Sequence, residues 1–148
     1  MHDIHTINAL RLLQSADEIK DRLAGAFAAV HGLSVNEFFL LMHLDRAPQH
    51  RLPRVVLAKR MHVSASTVTR MVAPMEKIGL VNREVSDRDK RLAFVVLAEA
   101  GKTKLGEAKA TFAKHASYVF ADRWNSDDLD KLSELLYRLV AGTSANLT

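Results

Sequence analysis

The sequence predicts a mainly α fold carrying a small β-hairpin, and three observations support that reading. Apolar side chains recur at helical spacing over most of the chain, most plainly near both ends. Only around residues 80–97 does the apolar period shorten to two. Prolines and glycines are scarce, three and six in 148 residues, so little of the chain is left for long loops. An apolar share of 48% with 26% charged residues is that of a globular chain with one core, and a single domain over residues 1–148 is expected.

The first long helix is expected from about Ile7 to Val30. Its apolar stripe is Leu12, Leu13, Ala16, Ile19, Leu23, Phe27 and Val30, and His31 and Gly32 supply a last-turn imidazole and a stop. Ser34, followed three residues later by Glu37, has the capping-box arrangement and opens a second helix from Val35 to Arg46. "APQHR" reads as a turn. Pro53 then reads as the first residue of a short helix, "PRVVLAKRM", ending near Met61 and His62. Ser64 and Ser66 are available caps for a helix over 64–81. Pro74 lies inside that helix, lacks an N–H and crowds the carbonyl of Arg70, so a bend or local break is expected there.

"LVNREV" and "RLAFVVL" read as two short strands joined by the charged loop "SDRDK". Helical spacing returns from about Glu99 to Trp124, with Leu105, Ala108, Phe112, Ala116, Val119 and Phe120 on one face. Ser126 is the expected N-cap of a last helix striped by Leu129, Leu132, Leu135, Leu136, Leu139 and Val140. The central unit, residues 33–97, is too small to cover the stripes of the flanking arms, 1–32 and 98–148. The simplest cover is a second copy of the chain.

Several classes of chemistry find no support. There is no cysteine, which removes disulfides, thiol nucleophiles and thiolate metal sites together. His2 and His5 are three apart on a terminus, and the other five histidines show no ligand pair, so no metal and no cofactor are expected. No phosphate-cradling glycine loop, nucleophile elbow or zinc-protease motif is present, and no enzymatic activity is expected. Apolar runs such as "LAFVVLA" fall far short of a membrane span and the N-terminus lacks an apolar signal centre, so a cytoplasmic protein is expected.

The positive charge is unevenly placed. Residues 51–91 hold ten Lys/Arg against four Asp/Glu, whereas the rest of the chain holds eleven against thirteen. A basic block between near-neutral arms fits a polyanionic partner. On a helical wheel, Val68, Met71, Val72, Met75 and Ile78 of the 64–81 helix cluster within roughly 120°. Ser66, Arg70, Ala73 and Lys77 lie opposite, with Thr67 and Thr69 towards the edges. A face of small hydroxyls with one well-placed arginine suits close approach in a DNA major groove. Arg54, Lys59 and Arg60 sit on the preceding short helix, which would cross the phosphate backbone as in a helix-turn-helix. The hairpin that follows brings Arg83, Arg88, Lys90 and Arg91, the layout of a wing reaching an adjacent minor groove. Asp87 and Asp89 would hold the basic side chains or shape the turn. The fold class expected is therefore a winged helix-turn-helix with long N- and C-terminal helices.

"LAKRMHVSASTVTRMVAPMEKIGLV" followed by "REVSDRDKRLAFVVLAEAG" resembles the multiple-antibiotic-resistance regulator (MarR) family of winged-helix transcription factors. The second stretch resembles the family's wing signature, with Asp89, Lys90 and Arg91 as its tripeptide. The resemblance implies a homodimer whose long helices form the dimer arms, binding double-stranded DNA at a roughly palindromic operator. It further implies a repressor released by a small, aromatic or phenolic ligand, in a bacterial or archaeal cytoplasm. Carried over by position, Ser64, Ser66, Thr67 and Arg70 would contact DNA from the recognition helix and Arg91 from the wing. Thr69, Lys77, Arg54, Arg60, Arg88 and Lys90 complete the expected set. The family's ligand cleft would make His31, Met42, His43 and Arg46 the candidate ligand residues. Ala98 stands where the family usually has a capping Thr, and "LPRVV" replaces the usual polar pair of the short helix. The competing reading is a winged-helix co-regulator that docks on protein without reading DNA.

Overall fold

The structure, a computed structural model, describes residues 3–89 and 91–148. Helix α1 runs from Ile4 to His31. It begins three residues earlier than the periodicity suggests, because Asp3 caps it by accepting from the Thr6 N–H at 3.0 Å. Gly32, in the left-handed conformation at φ 63°, ends it. Helix α2, Val35–Arg46, carries the expected capping box, with Ser34 and Glu37 each bonding the other's backbone.

The segment read as a turn contains more. Pro48–His50 is a single 3₁₀ turn, and Arg51–Pro53 is a strand, β1. Pro53 therefore closes a strand and caps the next helix, α3 (Arg54–Met61), instead of opening it. A three-residue strand has too few side chains for alternation to show. Strand β2 (Val81–Val85) and strand β3 (Ala93–Leu97) form the expected hairpin, and β1 adds to its far side in the order β1-β3-β2, all antiparallel. Register pairs Leu52 with Val95 and Arg83 with Val95 on the other flank.

Helix α4 spans Ala65–Lys77, capped by Ser64. It runs unbroken through Pro74, so the expected break is not found. The end comes one turn later, where the N–H groups of Ile78, Gly79 and Leu80 close on the carbonyls of Pro74, Glu76 and Met75. Ile78, expected on the buried face, is 66% exposed because the helical screw stops at Lys77. The chain is redirected at Gly79, where φ is 80°.

Helix α5 (Glu99–Val119) ends five residues short of Trp124. Helix α6 covers Ser126–Val140, and its cap is Asn125, not Ser126, because Asn125 and Asp128 form a reciprocal capping box. Phe27, Phe38 and Phe112 join α1, α2 and α5, with ring centroids 4.9 and 5.4 Å apart. Leu40, Leu41, Leu44, Leu57, Val68, Val72, Met75 and Val81 complete the core beneath the hairpin. The arms are covered only in part. Leu23 and Phe27 are the buried residues of α1, whereas Leu10, Leu12, Leu13 and Val30 are exposed and α6 has no buried residue. Among the described residues, no single helix is long and apolar enough to cross a membrane.

Candidate nucleic-acid interface

The turn between α3 and α4 is tight because His62 takes the left-handed conformation, φ 57°, usually filled by glycine. The Val63 N–H then closes on the Ala58 carbonyl at 3.0 Å. Ser64 Oγ accepts from the Thr67 N–H at 3.1 Å and starts α4. Burial of Val68, Val72 and Met75 on one side leaves Ser64, Ser66 and Arg70 exposed on the other. These groups are already organised. Ser64 Oγ lies 3.0 Å from Ser66 Oγ and 2.9 Å from Thr67 Oγ1, and Arg70 Nη2 donates to Thr67 Oγ1 at 3.2 Å.

The other expected contacts divide. Lys77 is exposed but is the last residue of α4, roughly 16 Å along the axis from Ser66. Thr69 is half-buried, its hydroxyl donating to the Ala65 carbonyl at 3.1 Å and accepting from Arg54 Nη1 at 3.0 Å. Arg54 is therefore turned onto the flank of α4, not outward. Arg60 is half-buried and lies within electrostatic range of His43 on α2.

In the wing, Ser86 Oγ accepts from the N–H groups of Arg88 and Asp89, and Asp89 accepts from the backbone and guanidinium of Arg91. The expectation that Asp89 holds a basic side chain is met, and Arg91 keeps its carboxyl below the usual carboxylate range. Arg91 remains 91% exposed. Lys90 lies outside the described residues, as does His2.

Arg83, counted with the basic wing, is exposed but already paired. Its Nε and Nη2 grip Glu76 of α4 at 2.9 and 3.0 Å, tying the wing to α4 and holding the Glu76 carboxyl below its ordinary range. Arg51 reaches across β3, pairing with Glu84 at 2.9 Å and lying 4.2 Å from the centre of the Phe94 ring. These pairs escape sequence reasoning because each joins two different elements, and the Arg51 partners lie more than thirty residues away.

The four candidate ligand residues make separate contacts. His31 Nε2 lies 2.7 Å from Thr111 Oγ1 on α5. Met42 packs against the core and Arg46 donates to the Leu147 carbonyl at 2.9 Å. His43 is 4% exposed, and burial, then Arg60, Arg46 and His62, push its pKa below that of a free histidine. An open groove of about 750 Å³ runs along α1 and the α1–α2 turn, lined by Asp17, Lys20, Asp21, Leu33, Ser34 and Asn36 among others. No group of three or more His, Asp or Glu among the described residues is placed to hold a metal ion.

Residues 33–92, which span α2, β1, α3, α4, β2 and the wing loop, match the profile of the MarR family. This central unit is a MarR-family match. The HTH-type transcriptional repressor YetL of Bacillus subtilis (strain 168) is 33% identical over 105 residues, which cover 71% of this chain and 61% of YetL. The chain thus spans about three fifths of that relative's length. Sco3205, a MarR family transcriptional regulator from Streptomyces coelicolor solved in complex with DNA, matches with a TM-score of 0.80 at 24% identity, over 96% of this chain and 92% of its own. CouR from Rhodococcus jostii RHA1, solved bound to p-coumaroyl-CoA, matches at 0.75 and 18% identity, over 91% and 92%. At these identities the likeness to the two solved structures is one of fold, the winged helix. The MarR family is one of transcriptional regulators, not of enzymes.

Proposed function

We propose that this MarR-family protein is a homodimeric repressor that reads a roughly palindromic double-stranded operator and is released by a small ligand. The observation that carries the reading is the solvent face of α4. Ser64, Ser66, Thr67 and Arg70 form a continuous hydrogen-bonded polar patch at the helix N-terminus, and the exposed Arg88 and Arg91 stand on the wing beyond it. Side chains of this size and polarity match base edges in the major groove, and exposed wing arginines match a narrow minor groove. Sco3205, similar in fold, is solved in complex with DNA. A protein-docking face would be apolar or acidic; this one is neither.

The dimer rests on the uncovered stripes. Leu135, Leu136, Leu139 and Val140 of α6 are exposed in the single chain together with Leu10, Leu12 and Leu13 of α1, and a two-fold partner would cover them. CouR's p-coumaroyl-CoA supports an aromatic acid or its thioester as the effector class.

The test is selection of bound fragments from random duplex DNA, followed by footprinting. Two protected half-sites about 10 base pairs apart are expected, with affinity falling steeply as salt rises. Failure to retain any duplex at low salt would overturn the reading.

A further inference from the structure

We propose that Arg54 is a positioning residue for base readout: it fixes the rotation of α4 through Thr69 and does not itself grip a DNA phosphate. The proposal rests on the DNA-binding reading above. Arg54 opens α3, and its Nη1 donates to Thr69 Oγ1 at 3.0 Å. The single hydroxyl proton of Thr69 is committed to the Ala65 carbonyl, so guanidinium, hydroxyl and first-turn carbonyl form one chain of bonds. Arg54 Nε is sealed from solvent without a hydrogen-bond partner among the described residues, beside a cavity of about 50 Å³ whose lining includes Thr69, Val72, Arg83, Phe94 and Val95. Arg83 is already matched by Glu76, and among the described residues no carboxylate lies within ion-pair distance of Arg54. The bond to Thr69 is thus the one protein hydrogen bond made by this side chain among the described residues.

Such a bond matters because of what else holds α4. Val68, Val72 and Met75 bury one face, and because apolar attraction is non-directional, rotation about the helix axis is left to directional contacts: the Arg83–Glu76 pair near the C-terminal end and the Thr69 bond nearer the reading end. Thr69 sits about 100° from Val68 on the wheel, where a directional bond opposes rotation best. A rotation of roughly 20° would move a side-chain tip on the reading face by on the order of 2 Å, more than a paired hydrogen bond tolerates. Releasing Thr69 would therefore blur the preference carried by Ser66, Thr67 and Arg70 while leaving the phosphate contacts in place.

The experiment uses wild type, Arg54→Met, Thr69→Val and the double variant, with the duplex that wild type selects from a random pool and its single-base variants. Binding is measured across about 50 to 200 mM salt, and circular dichroism checks folding. Each single variant should bind the selected duplex about five- to tenfold more weakly and discriminate less among the base variants. The double variant should be no weaker than either single, and all should keep the wild-type salt slope. A salt slope reduced by about 0.9 in Arg54→Met, with Thr69→Val binding as wild type, would mark a phosphate contact and overturn the inference. So would losses that multiply in the double variant. Thr69→Val, nearly isosteric, decides the matter alone if Arg54→Met fails to fold. If wild type selects no duplex, the DNA reading itself fails and takes this inference with it.

Discussion

Replacing Gly101 with alanine tests how closely the first turn of α5 lies against the base of the hairpin. Gly101 is buried, and a Cβ there would overlap the Leu80 carbonyl oxygen and come within 2.8 Å of Leu97 Cδ1. The leucine end can move, but the carbonyl is held. Leu80 O accepts from the Ala98 N–H at 3.1 Å, and the Leu80 N–H donates to Met75 O at 2.9 Å. Alanine recovers about 1 kcal/mol of helix preference over glycine. Against this stand about 1–3 kcal/mol of overpacking and about 1 kcal/mol for a weakened Ala98–Leu80 bond. Ala98 offers no side-chain cap that could hold the helix start instead. The net loss is about 1–3 kcal/mol, which lowers the melting midpoint of a chain this long by roughly 3–10 °C. Thermal melting followed by circular dichroism at one fixed protein concentration is the assay, with Gly106→Ala as its control. Gly106 lies in the same helix, exposed, with nothing within 4 Å of an added Cβ, so alanine there should raise the midpoint by about 3 °C. If Gly101→Ala melts at or above wild type, the close approach of α5 to Leu80 is not what requires glycine.

Arg70→Ala should cost about 1–3 kcal/mol of DNA affinity and relax preference at one base position, as read by repeating the duplex selection. Leu139→Glu, on an α6 residue 61% exposed in the single chain, should shift the protein from dimer to monomer in sedimentation; an unchanged dimer would place the interface elsewhere. Unfolded His43 takes up a proton below about pH 6.5, whereas folded His43 resists it because of burial and the neighbouring Arg60, Arg46 and His62. Stability should therefore fall as the pH drops below 6.5 and level off once the folded imidazole titrates. His43→Leu should flatten that fall in denaturant melts at stepped pH. His62→Gly should stabilise by about 0.5–1 kcal/mol in the same melts, since glycine takes the left-handed turn without a Cβ penalty.

The parts of the fold legible in the sequence are those with local causes. Ser34 and Glu37, Gly32, Ser64 and the period change after Gly79 each act within a few residues, and they mark the helices and the hairpin to within a few positions. The errors have local competitors. Asn125 displaced Ser126 as the cap because Asp128 could answer it, and α4 continues through Pro74 because Val72 and Met75 on either side of it are buried in the core. Strand β1 exists because the edge of β3 was free to pair, a fact about residues some forty positions away. The site divides in the same way. Exposure of Ser66 and Arg70 follows from helical period, whereas the half-burial of Arg54 and Thr69 and the pairing of Arg83 depend on partners in other elements.

The hydroxyls at the start of α4 have a consequence for errors of recognition. Ser64, Ser66 and Thr67 already have partners in one another, and Arg70 has Thr67. A base that offers nothing to one of these groups does not strand it, because the group falls back on its neighbour. Stranded polar groups are what make a mismatch costly. On the DNA-binding role proposed above, a face with such internal fallbacks should forgive substitutions, with penalties towards the lower end of the usual 1–3 kcal/mol or so per base pair. Such a protein is suited to a set of related sites of graded strength more than to a single address.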